Sequence, residues 1–324
     1  MRHTLLSIAV LSVLAVPTFS YAEDAVEEAA PAAAAEPASS WSATSNIGLV
    51  SDYYTRGISQ TFHKPTVQGG FDIAHSSGFS AGVWGSGVTP NTFPDANTEI
   101  DLYANYGGAI GESGFGYSVG VIGYFYPGGS WKKYDFLTQA QGTKGVGVKK
   151  GGRWDTYEAN FGLSYKWVSA KASVTLGDWF GAEKETGWDG GTSGTTYLEL
   201  NAAYPLPWGG LTLIGHVGHL NVSGKLSQDP AFANANANQF GIVEDSPDYT
   251  DYKIGISKAF KIANSEGWNA GVYYVGASNG GSNGYWGERG YGGSSFNGGL
   301  NADGTTESKD LADGRVIVTV GRTF

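Results

Sequence analysis

The chain of 324 residues contains no cysteine and only 15% charged residues. Without cysteine no disulfide can staple the fold, so closure must come from packing and backbone pairing. Water-soluble domains usually carry about a quarter charged residues, so the low charge argues against an ordinary soluble domain. The net charge is −10 and no run is rich in Lys or Arg. Nucleic acid is therefore not expected as a partner.

Long apolar runs are also missing from most of the chain. After residue 22 no segment approaches the roughly 18 consecutive apolar residues that a membrane-spanning helix needs. No segment shows a sustained helical period, so we expect almost no helix. The chain is rich instead in glycine, at 51 residues, and in amphipathic aromatics, with 19 Tyr and 10 Trp. This composition is typical of a β-sheet with one face in lipid.

The N-terminus has the pattern of a secretory signal peptide. Arg2 and His3 give a positive start, Leu5 to Val16 is an apolar run, and Ser20-Tyr21-Ala22 supplies small residues for a signal peptidase. The run is too short to span a membrane, and a buried N-terminal helix is the alternative interpretation. We expect residues 1–22 to be removed near Ala22.

Residues 23–40 separate this signal from the rest of the chain. They are rich in Ala, Glu and Pro without alternation, which predicts a flexible periplasmic linker. A plug that folds back into the lumen is the alternative. Residues 41–324 then carry the pattern of an outer-membrane β-barrel.

That pattern is an alternation of apolar and polar residues from Trp41 onward. Between residues 157 and 167, Tyr, Ala, Phe, Leu, Tyr and Trp share one face. A helix would scatter these residues around its circumference, whereas a strand places them together. The opposite face carries Glu158, Asn160, Gly162, Ser164 and Lys166.

Twelve antiparallel strands are predicted, most of them about ten to fourteen residues long, as tilted membrane-crossing strands require. Short and long connections alternate between them, so both termini should lie on the periplasmic side. A soluble periplasmic sandwich is the competing fold, but it has no reason to lengthen every second loop. The strands are expected near 43–55, 65–76, 79–89, 98–109, 115–126, 155–168, 170–181, 195–204, 211–220, 249–260, 268–278 and 314–324.

Aromatic residues cluster near the strand ends, which predicts two girdles at headgroup depth; ordinary cross-strand packing is the alternative. The last strand ends in Phe324, with valines at 316, 318 and 320. This resembles the C-terminal signal that the barrel-assembly machinery recognises. Lipid and lipopolysaccharide of the outer membrane are the other expected partners.

A closed barrel with one face in lipid should turn its mid-strand charges inward, because Lys or Arg at mid-bilayer costs about 2–4 kcal/mol. Twelve tilted strands give a backbone radius of about 12 Å and a clear lumen of about 6 Å radius at most. Each charge either lines a solute path or braces the wall as an ion pair. The predicted pore-lining residues are Asp52, Arg56, Glu99, Asp101, Glu158, Lys166, Lys171, Glu199, Asp251, Lys253 and Arg315.

The sequence also resembles the TorF-type family of porin-like proteins, with an uncharacterised Gcw-type domain. The resemblance spans most of the chain and is dense over residues 45–127. It implies an outer-membrane barrel with a channel function and no shared substrate, and it includes Asp52 and Arg56 at the top of the first strand. The residues that carry it are Ser51-Asp52-Tyr53, Arg56-Gly57-Ile58-Ser59, Pro65, Gln68 to Asp72, Ser77-Gly78-Phe79, Gly82-Val83-Trp84, Glu99, Asp101, Tyr103 and Tyr124 to Pro127, with later echoes at Gly215 to Gly218, Asp313-Gly314-Arg315 and Phe324.

Three functions are compatible with these features. The leading hypothesis is a passive or weakly selective channel for small hydrophilic solutes or ions, with no cofactor and no catalysis. The second is a non-conducting structural or adhesive barrel that acts through its long outer loops. The third is a lipid-modifying enzyme that uses Ser59 and His63 of one outer loop. His216 and His219 should face opposite sides of a strand, so no metal site is expected there.

Overall fold

The computed structural model describes residues 40–93, 95–130, 152–186, 188–225, 247–278, 285–287 and 309–324. The predicted signal peptide and nearly all of the predicted linker lie outside these residues. Within them the chain forms fourteen strands and two short 3-10 turns, Trp179–Gly181 and Lys184–Thr186. In the described part of the chain, no helix is long and apolar enough to cross a membrane.

Twelve of the strands close into one antiparallel barrel, as the sequence predicts. Every barrel strand pairs with its neighbours along the chain, and the first strand pairs with the last. The remaining two strands, β2 (Tyr54–Thr55) and β3 (Ile58–Ser59), form a small separate hairpin. The barrel strands are β1 (Trp41–Val50), β4 (Thr66–His75), β5 (Phe79–Gly87), β6 (Thr98–Ala109), β7 (Phe115–Phe125), β8 (Thr156–Tyr165), β9 (Val168–Thr175), β10 (Thr196–Pro205), β11 (Leu211–Asn221), β12 (Tyr249–Ile262), β13 (Ser265–Ala277) and β14 (Arg315–Thr323).

The alternation separates an apolar outer face from a polar inner face. Leu102 on β6 is 50% exposed, whereas its neighbour Asp101 is 1% exposed. The apolar rows therefore do not meet across a dry interior, since they form the outer surface of the barrel. Outward members of this belt include Ile47, Leu49, Val67, Phe71, Val119, Val121, Phe161, Leu198, Leu200, Val217, Ile254, Val272 and Val318.

The connections alternate in length between the two ends of the barrel. Short turns of the chain at 76–78, 110–114, 166–167, 206–210 and 263–264 lie at one end. Both termini of the barrel lie there too, because the backbones of Ser45 and Phe324 exchange two hydrogen bonds. The other end carries six longer loops, L1 (51–65), L2 (88–97), L3 (126–155), L4 (176–195), L5 (222–248) and L6 (278–314).

Three predicted boundaries are wrong. The first strand ends at Val50 rather than near residue 55, and β9 ends at Thr175 rather than near residue 181. The turn predicted at Ser169 lies at Lys166 and Trp167, because Tyr165 already pairs with Val168.

The turn position also overturns the prediction that Lys166 faces the interior. Lys166 adopts a positive φ of 52° in the two-residue turn. Its side chain is exposed, and its Nζ lies 5.2 Å from the centre of the Tyr165 ring. A residue in a hairpin turn no longer follows the in-out alternation of a strand, so Lys166 is absent from the inner wall.

The outer belt predicts how the barrel responds to charge in lipid. Leu200→Arg, in the middle of β10, should reduce the free energy of unfolding in phospholipid vesicles by about 2–4 kcal/mol. Leu176→Arg, just beyond the end of β9, should reduce it by no more than about 1 kcal/mol, because the charge lies near the interface. Urea titration of both variants measures the difference. Equal losses would contradict a lipid-facing belt.

Candidate functional site: the inward-folded loop L1

Loop L1 turns into the barrel instead of extending away from it. Its hairpin of β2 and β3 places Tyr53, Ile58 and Phe62 in buried positions, each no more than 2% exposed. The backbone N–H of Ser59 donates to the carbonyl of Leu311, at 2.9 Å, which ties L1 to the end of L6. L1 therefore fills part of the half of the barrel that lies toward the long loops.

Asp52 holds L1 in this shape. Its Oδ1 accepts hydrogen bonds from Ser59 Oγ at 2.7 Å and Thr61 Oγ1 at 2.8 Å. Its Oδ2 lies 2.7 Å from His63 Nδ1. Because these partners all belong to L1, Asp52 organises the loop and does not face a passage. The sequence predicted Asp52 as a pore-lining residue, whereas its contacts in the structure lie within L1.

The same contacts argue against a catalytic Ser59 and His63. Ser59 is fully buried, its hydroxyl donates to Asp52, and it accepts from the His63 backbone N–H at 3.0 Å. His63 Nε2 lies 2.9 Å from the carbonyl oxygen of Asp310. The imidazole therefore does not face the serine hydroxyl, and a nucleophile needs that contact to lose its proton.

At the apex of L1, Arg56 reaches across the barrel. Its Nη1 and Nη2 donate to the two carboxylate oxygens of Glu158 on β8, at 2.9 and 2.7 Å. The guanidinium carbon also lies 4.2 Å from the centre of the Tyr197 ring on β10. In the strand order, β8 and β10 lie on the far side from β1, where L1 begins. The Arg56–Glu158 pair therefore bridges the lumen.

The guanidinium is charged in this position. Burial lowers the pKa of Arg56, but the adjacent Glu158 carboxylate more than offsets burial, so the pKa lies above its ordinary value. Fork-to-fork pairs of this kind are short, strong and geometrically specific. The side chain of Arg56 remains 12% exposed, so the bridge retains some contact with the water-accessible interior.

The apex depends on Gly57, which has a positive φ of 74°. A Cβ at this position would overlap Asp251 and would stand 2.6 Å from the carbonyl oxygen of Gly276. The backbone of L1 therefore touches the wall formed by β12 and β13. Only glycine permits both this conformation and this close approach.

The part of the wall that follows β8, formed by β9 to β12, carries paired polar and charged side chains. Lys171 Nζ lies 2.5 Å from Glu199 Oε1, and His216 Nε2 lies 2.8 Å from Asp251 Oδ1. Tyr197 also donates its hydroxyl to Asp251 Oδ2 at 2.9 Å. These residues bridge β9, β10, β11 and β12 on the inner face. They serve at least in part as wall-bracing pairs, which is the alternative that the sequence left open.

The remaining predicted inward charges occupy different settings. Lys253, on β12, faces the interior of the barrel, and its Nζ lies 5.6 Å from the centre of the Tyr273 ring. Arg315 shares the inward register of Ile317, but its side chain is 47% exposed at the rim and its nearest acid is Asp313 at 3.4 Å. Glu99 and Asp101 face inward on β6 and are 1% exposed.

The half of the barrel toward the short turns has a different lining. Its inward side chains are small, mostly polar and half-buried. Small side chains leave space at the barrel axis, whereas L1 occupies that space in the other half. This lining includes Asn46, Ser80, Gly107, Gly116, Ser164, Ser169, Thr212, Ser257, Asn269 and Thr323.

Aromatic clusters surround L1 at the long-loop end. Phe93 stacks on Tyr126 with ring centres 4.0 Å apart, and Trp179 meets Trp188 edge-on at 6.3 Å. A cavity of about 90 Å³ lies between these clusters, and Arg56 contributes to its lining. The outer half of the interior is therefore closely packed around one partly exposed guanidinium.

Several residues of this site were not selected from the sequence. The two-residue alternation could have identified them as inward-facing, because they lie on the polar faces of their strands; they are Tyr197, Asn105 and Asn160. His216 is inward and His219 is outward and exposed, as the alternation predicts. Within the described ranges, no group of three His, Cys, Asp or Glu residues could hold a metal ion.

Three solved structures illustrate what this chain is similar to. The KdgM porin, solved in complex with disordered oligogalacturonate, has a TM-score of 0.40 and 7% identity, covering 87% of this chain and 98% of that chain. LpxR from Salmonella typhimurium has a TM-score of 0.35 and 10% identity, covering 87% of this chain and 99% of that chain. OccAB2 from Acinetobacter baumannii has a TM-score of 0.34 and 10% identity, covering 81% of this chain.

The chain spans only 55% of the length of OccAB2. A comparison with curated proteins gives no match. The model of one family, described as a bacterial protein of unknown function (Gcw_chp), matches residues 34–295. The matched range includes L1 and most of the barrel, and it leaves out the later echoes at Arg315 and Phe324. The chain therefore belongs to the Gcw_chp family of bacterial proteins of unknown function.

Proposed function

We propose that this protein is an outer-membrane channel for small hydrophilic solutes or ions, narrowed by L1. The observation that carries the proposal is the combination of an apolar outer belt with a polar, charged inner wall. Leu200 is 49% exposed on the outside, whereas Glu199 beside it is paired with Lys171 on the inside. A water-soluble barrel would reverse this arrangement.

The orientation in the membrane follows from loop length. Short turns lie on the periplasmic side of outer-membrane barrels and long loops lie outside. L1 would then narrow the channel from the outer side, and both termini would be periplasmic after cleavage near Ala22. Phe324, which is 59% exposed at the end of β14, is available for the barrel-assembly machinery.

The inner wall supports passage rather than catalysis. Arg56 and His216 are each 12% exposed, and Lys171 is 16% exposed, so polar and charged groups of the inner wall reach the interior space. A partly exposed polar wall supports a channel of the porin-like type that the resemblance to the TorF-type family implies. The fully buried Ser59 supports no hydrolytic role.

A second candidate function is a non-conducting barrel that acts through its outer loops. The close packing of the long-loop end favours it, since Phe62, Leu220 and Leu311 are each fully buried there. If that packing persists in the membrane, no continuous water path would exist.

Planar bilayers separate the two candidates. The purified full-length barrel, verified by its shift in SDS gel mobility on boiling, should insert with discrete steps of conductance. A folded, heat-modifiable barrel that never conducts would favour the non-conducting candidate and reject the channel.

The Arg56–Glu158 bridge predicts a specific change in conductance. Arg56→Ala should raise the single-channel conductance by about twofold, because L1 loses its anchor on β8 and the lumen of about 6 Å maximum radius widens. The conductance of Arg56→Lys should lie between those of the wild type and Arg56→Ala, because an ammonium group cannot form the two parallel hydrogen bonds of the guanidinium.

Arg153→Ala is the matched control for this experiment. Arg153 pairs with Asp155 at 2.8 Å, but its side chain is 64% exposed and lies outside the barrel wall. Its removal should leave the conductance unchanged. An Arg56→Ala channel identical to the Arg153→Ala channel would show that L1 does not set the width of the passage.

Gly57 provides an independent test that leaves Arg56 and Glu158 unchanged in the sequence. Gly57→Val should displace the apex of L1, because the new side chain overlaps Asp251 and the positive φ disfavours a β-branched residue. We expect frequent flickering between conductance levels, recorded as dwell times. Gly111→Val, at a turn glycine with positive φ and no neighbour within 4 Å, separates general backbone strain from the loss of contact. Identical dwell times in both variants would argue against a role for the L1 apex.

A further inference from the structure

The inner wall between β6 and β8 has a chemical property that the ion pairs do not explain. Glu99 and Asp101 lie on β6, and Asn160 lies on β8 together with Glu158. All four side chains are buried, with no more than 5% exposure. Asn105, lower on β6, is 8% exposed and pairs in register with Gly120, which in turn pairs with Asn160. The two amides therefore lie at one level of the wall.

Gly120 allows these amides to share one space. A Cβ on Gly120 would overlap the carboxamide oxygen of Asn105 and would stand 2.9 Å from the carbonyl oxygen of Ala104. The Asn105 side chain therefore lies over the β7 backbone, on the side toward Asn160. The carboxylates above and the amides below form a continuous strip of oxygen-bearing side chains along this wall.

Several oxygens of this strip lack a hydrogen-bond donor. Four buried oxygens have no donor among the residues that the structure describes, namely Glu99 Oε2, Asp101 Oδ1, Asn105 Oδ1 and Asn160 Oδ1. The two Asn oxygens are a second observation beside the two carboxylates, because amides are uncharged and do not belong to the acidic cluster. Buried acceptors without partners are costly, and all four here have the same hydrogen-bonding character.

The protein supplies too few cations to this wall. Arg56 uses both of its terminal nitrogens on Glu158. Of the other described Lys and Arg side chains in the inward register, Lys171 pairs with Glu199, Lys253 lies over the Tyr273 ring and Arg315 lies beside Asp313 at the rim. Glu99 Oε1 accepts a hydrogen bond from the Tyr53 hydroxyl at 3.3 Å, and no ion pair among the described residues includes Glu99 or Asp101. Two carboxylates therefore face the enclosed interior without a cationic side chain.

We propose that this strip binds a small monovalent inorganic cation, and that the channel consequently passes cations in preference to anions. The second statement rests on the channel function proposed above. Carboxylate and amide oxygens are hard ligands that suit alkali and alkaline-earth cations. Only two of the unpartnered oxygens belong to carboxylates, and so low a ligand charge favours a weakly held monovalent ion over a chelated divalent one. Weak binding is also what conduction requires.

Reversal potentials under a KCl gradient test the preference. The wild-type channel should favour K⁺ over Cl⁻, and the double variant Glu99→Gln/Asp101→Asn should lower the permeability ratio by about threefold or more toward unity. Glu112→Gln removes one carboxylate from the exposed turn at 110–114 and should leave the ratio unchanged. A wild-type channel that prefers Cl⁻, or a double variant with the wild-type ratio, would overturn the inference while leaving the channel function intact.

A second measurement does not need conduction. The temperature at which half of the protein unfolds in detergent, measured by the shift in gel mobility, should be several degrees higher in KCl than in choline chloride of equal concentration. Bound K⁺ stabilises the folded state. The double variant should lose this difference, and Glu112→Gln should keep it. If the protein never conducts but shows the K⁺-specific shift, the channel function fails and the cation site stands. An equal midpoint in both salts would reject the site.

Discussion

A closed sheet with an apolar outer face forces every polar side chain of its wall into one enclosed space. In this barrel, that constraint brings together five acids from four strands, namely Glu99, Asp101, Glu158, Glu199 and Asp251. Charges that would be independent on the surface of a soluble protein must here be paired, neutralised or hydrated. The arrangement of the interior is largely the outcome of this requirement.

Two neighbouring parts of the wall meet the requirement differently. Strands β9 to β12 supply partners for their own acids, Lys171 for Glu199 and His216 for Asp251. The charged residues of β6 and β8 are all acids, and within the described ranges their one ion pair with a cationic side chain is made by Arg56 of L1. The loop is therefore both a mechanical element and part of the charge balance. Its fold explains why Asp52, which bonds to Ser59, Thr61 and His63, belongs to the loop itself.

The sequence predicted the barrel well because its evidence is local and repeated. The two-residue period determines which face each strand residue occupies, and the alternation of loop lengths determines the topology. It located Glu99, Asp101 and Glu158 on the inner face for that reason. The period could not give the end of β1, because Tyr53, Tyr54 and Thr55 are residue types that favour strands, and no Gly or Pro stands directly before them to mark the end. The contacts that turn L1 inward lie up to about 260 residues away, as between Tyr54 and Asp313.

Lys166 illustrates the same limit at a finer scale. It continues the polar row of Glu158, Asn160 and Ser164, and only the register between Tyr165 and Val168 shows that the strand has already ended. Pairing partners are likewise invisible to periodicity. The sequence left open whether Arg56 lines a solute path or contacts the wall. In the structure Arg56 binds the Glu158 carboxylate across the lumen, and part of its side chain remains exposed.

The width and the charge of the constriction are consequently not independent. The guanidinium of Arg56 draws L1 toward β8 and at the same time neutralises Glu158. Releasing it would widen the interior and would also add an uncompensated carboxylate to a wall that already has Glu99 and Asp101. A cation bound in this space would reduce the electrostatic attraction between the acidic wall and Arg56, because both positive charges would interact with the same carboxylates. Occupancy of the wall and the position of L1 are therefore linked through one set of carboxylates, and either one biases the other.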